Sequence, residues 1–175
     1  MGNLMPRYRD GKFQENISDN EFINKVVSFI KMGIIPDYLT NYHLEFTPVD
    51  YAAKAICKII TNYTKTNRVF HLYNTKTVPT YKCLKLLSKL GYNINILTEK
   101  DFVNKINKML KNDDSKKLIN YLLNDFDKNT HIDYKTNIDV KSSFSKKYLR
   151  KMFFFWPKIS KKYLMRFFDI LKEVM

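Results

Sequence analysis

An α/β fold weighted towards helices is predicted by three features of the sequence. Apolar residues recur at helical spacing over most of the chain. Short β-rich runs lie between those stretches, and one strand runs straight into a helix with a start signal between them. That junction, Leu44-Glu45-Phe46-Thr47-Pro48-Val49-Asp50-Tyr51-Ala52-Ala53-Lys54-Ala55-Ile56, is the best defined. Thr47 is expected to cap the helix, Pro48 to take its first position, and Asp50 to reach back in capping-box fashion. Ala52, Ala53, Ile56, Ile59 and Ile60 then form its apolar face.

The other elements follow in chain order. Residues 1–16 read as a strand end and a loop, with a turn at Asp10-Gly11. Ser18 and Glu21 suit a capping box for a helix through Met32, with Phe22, Val26, Phe29 and Ile30 inward and Gly33 as its left-handed stop. Arg68 to Tyr73 alternates and predicts a strand, and Asn74 to Val78 its turn. A helix from about Thr80 to Leu90 ends at Gly91, and Ile94 to Leu97 reads as a short strand. Thr98 and Asp101 box a helix to about Leu110, and Lys116 to Phe126 forms another. Residues 127–143 are polar and loop-like. Two closing helices flank Trp156-Pro157, the second capped by Ser160.

Composition narrows the function classes. A chain of 175 residues forms one domain or one lobe of a larger one. It contains no run of about 18 apolar residues, which argues against a membrane span. The start, Met-Gly-Asn-Leu-Met-Pro-Arg, lacks a secretory core. Cys57 and Cys83 fall on helices among apolar neighbours and read as two reduced, buried thiols of a cytoplasmic protein. The net charge is +14, and nine Lys and Arg with no Asp or Glu lie between Lys141 and Arg166. Acidic partners of several kinds fit that excess, although Lys, Asn and Ile are abundant throughout.

Several chemistries are excluded. The four glycines, Gly2, Gly11, Gly33 and Gly91, are too scattered for a dinucleotide loop or a P-loop. His43, His71 and His131 have no metal-ligand spacing with each other or with the cysteines, so no metal site is expected. Ser142, Ser143 and Ser145 lack a nucleophile-elbow context. Two Tyr-x-x-x-Lys patterns occur, Tyr8 with Lys12 and Tyr81 with Lys85. The first spans a turn, and nothing upstream of the second holds a nicotinamide, so neither reads as a catalytic pair.

A series of segments resembles a known family: Gly2-Asn3-Leu4; Arg7-Tyr8-x-Asp10-Gly11-Lys12-Phe13-Gln14-x-Asn16; Asn20-x-Phe22; Gly33-Ile34-Ile35-Pro36; Glu45-x-Thr47-Pro48-Val49-Asp50-Tyr51-x-Ala53-x-Ala55-Ile56; and Val69-Phe70-His71-Leu72-Tyr73-Asn74. In this order they resemble the second half of the thioester reductase domains that terminate many nonribosomal peptide synthetases. Those are extended short-chain dehydrogenase/reductases related to aminoadipate reductase and male-sterility-type acyl reductases. The match is dense over residues 1–75 and thins beyond. Met5-Pro6 stands where the family more often has Thr-Gly.

The resemblance implies a helix-rich, C-terminal substrate-binding lobe of such an enzyme, lacking most of the Rossmann sheet. It implies a single partial domain over 1–175, with 1–75 returning to the cofactor sheet and 76–175 facing substrate and carrier. The glycine-rich loop and the catalytic Tyr-x-x-x-Lys would precede Met1 in a missing cofactor half, so the chain would be a fragment, inactive by itself. NADPH would serve the full-length protein, with Gly2 and Asn3 beside it, while Arg7, Gln14, Asn16 and Asn20 would line or brace the substrate side. The implied reaction is release of an acyl or peptidyl thioester from a carrier protein's phosphopantetheine arm as aldehyde or alcohol. Lys146, Lys147, Arg150 and Lys151 would dock the carrier, since carriers are usually acidic. Thr47, Pro48 and Asp50 are also explained as a helix start alone, and Arg7 as a solvated charge. Two alternatives remain: a basic helical module binding nucleic acid through Lys146 to Arg166, with Trp156 stacking, or a non-functional remnant.

Overall fold

In the computed structural model, which describes residues 2–64, 67–112, 116, 119, 122, 140–173 and 175, helices carry most of the order. Continuous helices are α1 Glu21–Met32, α2 Val49–Asn62, α3 Thr80–Lys89, α4 Glu99–Leu110, α5 Ser143–Lys151 and α6 Lys161–Leu171. The strands are short: β1 Leu4–Met5, β2 Ile34–Pro36, β3 His43–Leu44, β4 Thr47–Pro48, β5 Val78–Pro79 and β6 Asn95–Leu97. Every sheet among the described residues is two-stranded, with β1 parallel to β4 and β2 parallel to β6. Parallel strands of this kind ordinarily lie inside a larger sheet covered on both faces.

The chain divides into two compact units. The first comprises Met1–Glu15, His43–Val78 and Ile138–Phe167. Its core joins Ala55 and Ile59 of α2, Leu149 of α5, and Leu72, Phe154 and Trp156. The second comprises Asn16–Tyr42, Pro79–Asn137 and Phe168–Met175. There Ile34 of β2 packs with Phe102 and Ile106 of α4 and with Ile119. The expected Lys116–Phe126 helix falls mostly outside the described residues, but Lys116, Ile119 and Leu122 are helical. Among the described residues no helix is long and apolar enough to cross a membrane.

Several local expectations hold. Gly33 ends α1 at φ 64°, with its N–H donating to the Phe29 and Ile30 carbonyls, a backbone shape that glycine adopts without a Cβ clash. Thr98 accepts a hydrogen bond from the Asp101 N–H at the start of α4. Ser160 does the same for Tyr163 at the start of α6. Asn74 folds its turn by accepting from the Lys76 N–H.

Others are corrected. Asn20 caps α1, accepting from the Ile23 N–H at 3.1 Å, and Ser18 lies in a preceding 3-10 turn. The buried positions of α1 are Ile23, Asn24, Val27, Ser28 and Ile30; Ile30 is inward as expected and Phe29 packs partly buried against the core, while Phe22 and Val26 give way to Ile23 and Val27. On α2 the buried stripe is Ala52, Ala55 and Ile59, while Ala53 and Ile60 face solvent. Cys57 is exposed and Cys83 buried; both are free. Residues 68–73 join no strand ladder.

The largest correction concerns the start of α2. The helix begins at Val49 and Pro48, the residue before it, offers no capping side chain; the Asp50 carboxylate accepts from one first-turn amide, the Tyr51 N–H, at 3.1 Å. Thr47 is committed elsewhere, and Asp50 divides its oxygens between that turn and the Tyr8 and Arg9 amides. Tertiary partners outcompete the local box because they leave no buried polar group unpaired.

Candidate functional site

The first unit builds its polar centre around Thr47, which has no exposed surface. The Thr47 hydroxyl donates to the Glu45 carboxylate and accepts from the Asn74 N–H at 2.7 Å. Asn74, equally buried, donates through its side chain to the Pro157 carbonyl at 3.1 Å. The other Glu45 oxygen accepts from the Asn3 N–H at 2.7 Å. The Thr47 N–H donates to the Asn3 carbonyl at 3.1 Å, and the Gly2 N–H to the Leu72 carbonyl at 2.8 Å. Two distant segments, 45–47 and 72, thereby pin the backbone of Gly2 and Asn3. A Cβ on Gly2 would stand 2.6 Å from both a Glu45 oxygen and the Tyr73 Cβ, so only glycine fits this approach. The Asn3 side chain is left exposed.

A second layer fixes the loop after β1. Asp50 accepts from the Tyr8 N–H at 2.9 Å and the Arg9 N–H at 3.3 Å, tying residues 8 and 9 to the first turn of α2. Arg7 clamps Asp10 from two nitrogens, at 3.0 and 2.9 Å. Desolvation raises the Asp10 pKa. The Lys12 amide, with the Arg7 and Arg9 charges, outweighs it and holds the carboxyl below its usual range. The Tyr8 ring stacks on Tyr163 at 5.3 Å and meets Tyr51 edge-on at 5.6 Å. Tyr163 donates to the Pro6 carbonyl at 2.8 Å. Burial, then the negative charge of Asp50, pushes its phenol far up, so it serves as a fixed donor. Arg7, Tyr8, Arg9, Asp50, Tyr51 and Lys54 line an open cleft of ≈ 330 Å³. The lining carries three cations, of which Arg7 and Arg9 are paired with Asp10 and Lys54 lies over the Tyr51 ring, together with the Asp50 carboxylate.

The basic face forms in the same unit. Ser145 and Leu149 of α5 are buried, which turns Lys146, Lys147, Arg150 and Lys151 together into solvent. Trp156 is only 7% exposed and packs edge-on against Phe154 at 5.1 Å. It is unavailable to stack on a base, the role the nucleic-acid alternative gave it.

No protein-family model matches the chain, and no curated protein does. Solved structures do. A thiolation-reductase di-domain from an archaeal non-ribosomal peptide synthetase superposes with a TM-score of 0.80 at 28% identity over 99% of this chain. The terminal R domain from the myxalamid PKS-NRPS pathway and the aureusimine biosynthetic cluster reductase domain each give 0.75 at 17% identity, again over 99%. The fold is that of the C-terminal part of a terminal reductase domain. The chain spans 35% of the first of those structures and 42% and 43% of the other two.

Placed in that reductase-like lobe, the sequence-derived site residues separate into groups. Gly2, Asn3, Arg7 and Gln14 lie in the first unit, as do Lys146, Lys147, Arg150 and Lys151. Gly2 and Asn3 adjoin the Glu45–Thr47 centre, Arg7 lines the cleft, and Gln14 is exposed. Asn16 and Asn20 belong to the second unit. Asn16 donates to the Asp19 carboxylate at 2.9 Å, and Asn20 is occupied as a helix cap. Sequence reasoning missed Glu45, Asn74 and Tyr163 as organisers, since each acts through partners 27 to 157 residues away.

Proposed function

We propose that this chain is the C-terminal lobe of an NADPH-dependent thioester reductase that releases an acyl or peptidyl group from a carrier protein as aldehyde or alcohol, and that it is inactive without its cofactor-binding half. The observation that carries this reading is the likeness to terminal reductase domains over 99% of the chain, at 28% identity to a thiolation-reductase di-domain.

NADPH, when bound, supplies the hydride. The residues here fit a role at the edge of its site. The backbone donors of Gly2 and Asn3 are taken by Leu72 and Glu45, and the Asn3 carboxamide is exposed; in this reading that carboxamide serves the nicotinamide side. No glycine-rich anion cradle exists among the described residues, so the pyrophosphate belongs to the other half.

In this reading the cleft between Arg7, Arg9 and Lys54 receives the negatively charged portion of the phosphopantetheine-linked substrate, and Tyr8 and Tyr51 flank its chain. Arg7 and Gln14 of the first unit line or brace the substrate side. Lys146, Lys147, Arg150 and Lys151 steer an acidic carrier towards it. The protein works in the cytoplasm. The test is charge reversal of Lys146, Lys147 and Lys151 together. The expected outcome is a fall in carrier association that grows as salt is lowered; unchanged affinity at every ionic strength would refute the docking role.

A further inference from the structure

We propose that the turn following α5 presents Phe153 and Phe155 as apolar anchors of the carrier docking surface, a proposal that rests on the carrier-dependent reading above. The turn closes α5 with two backbone bonds. The Phe154 N–H donates to the Leu149 carbonyl and the Phe153 N–H to the Arg150 carbonyl, both at 3.0 Å. This pattern places its bend residue in the left-handed region, a position that glycine ordinarily fills. Here the bend residue is Phe153, at φ 53°. An L-residue is strained there because its Cβ crowds the neighbouring backbone.

The Phe153 ring itself joins no core cluster of the described residues. The hydrophobic contact that accompanies such a turn is made by the next residue, Phe154, which packs in the same buried cluster as Leu149. Phe153 is 87% exposed and Phe155 57% exposed, whereas Phe154 and Trp156 between and after them are buried. The alternation therefore displays two rings outward from a rigid base. Lys58 secures that base by donating to the Met152 carbonyl at 2.9 Å. Strained backbone that displays a large apolar side chain marks a functional surface rather than a folding need. Rigid aromatic side chains are the usual anchors of protein interfaces.

Charge identifies the occupant. The rings emerge at the end of the helix that carries Lys146, Lys147, Arg150 and Lys151, all exposed, and no acidic residue occurs from Lys141 to Arg166. An acidic protein surface with an apolar socket complements this patch. An anionic bilayer shares the chemistry. However, two phenyl rings carry less hydrocarbon than one acyl chain, which alone binds membranes only marginally. A small acidic carrier domain is the better match.

The experiment measures binding of a fluorescently labelled, acidic apo thiolation domain to this chain, alongside the thermal melt of each variant. Phe153→Gly relieves the backbone strain, so its melting temperature is expected to equal or exceed that of the unmodified chain. Its dissociation constant for the carrier is expected to rise at least tenfold, and Phe155→Ser is expected to add to the loss. Carrier binding that survives in the double variant, yet falls on charge reversal of the lysines, would overturn this inference and leave the docking reading intact. No carrier binding by the unmodified chain would overturn both. Phe153-dependent sedimentation with phosphatidylglycerol vesicles, without carrier binding, would assign the turn to a membrane surface instead.

Discussion

Replacing Thr47 with valine tests whether this residue is a helix cap or the centre of a buried network. Valine keeps the shape and removes only the hydroxyl. In the structure that change orphans the Asn74 N–H, held at 2.7 Å inside a fully buried site, and strips one partner from the Glu45 carboxylate. A buried donor left unpaired costs about 1–3 kcal/mol, and a hydrogen bond to a charged group contributes about 1.5–3 kcal/mol. Glu45 is half-buried and keeps the Asn3 N–H, so its share falls at the low end. The sum is about 3 kcal/mol, which lowers the melting temperature by roughly 6–12 °C in a chain of this size. Thr47→Ser retains the hydroxyl and loses a methyl group, costing about 1 kcal/mol. Urea unfolding followed by circular dichroism gives both values, and hydrogen exchange reports the Asn74 amide directly. A valine variant within about 0.5 kcal/mol of the unmodified chain, or one whose Asn74 amide stays protected, would refute the network.

Two further outcomes follow from the second unit. Burial raises the Cys83 thiol from 9.0 to about 12, so its contribution to stability is complete below pH 9.0 and is lost as pH climbs towards about 12. The slope from this one group is up to about 1.4 kcal/mol per pH unit, and Cys83→Ala should flatten the alkaline stability profile; an unchanged profile would contradict the burial. Asn20→Ala should cost about 1 kcal/mol through loss of the α1 cap, measured by thermal melting, whereas Ser18→Ala should cost almost nothing; the reverse order would restore the capping box expected at Ser18.

What the sequence revealed depended on range. Features set by a few adjacent residues were readable: the left-handed stop at Gly33, the Thr98 cap, the Asn74 turn, and the periodicity of α3 and α4. Misreadings arose where a local motif competed with distant partners. Thr47 and Asp50 satisfy the pattern of a capping box, yet the Thr47 hydroxyl goes to Glu45 and Asn74, and Asp50 takes the Tyr8 and Arg9 amides as well as the Tyr51 amide of its own turn. Residues 68–73 have strand composition, but a ladder also needs a neighbour, and among the described residues their one backbone–backbone bond is from the Gly2 N–H to the Leu72 carbonyl. The order of motifs over residues 1–75 did carry the family resemblance, and the fold likeness extends it to nearly the whole chain. The cleft was only half legible, since Arg7 was singled out while Tyr51, Lys54 and Tyr163 became recognisable once the loop was docked on α2.

The central claim is that this lobe serves a reductase whose hydride chemistry is housed in a preceding half. The most direct measurement is the DNA sequence immediately upstream of the Met1 codon in the source organism. The account predicts an in-frame extension that encodes a strand, a Gly-x-x-Gly-x-x-Gly loop and a later Tyr-x-x-x-Lys. A stop codon directly preceding a ribosome-binding site and Met1 would contradict it.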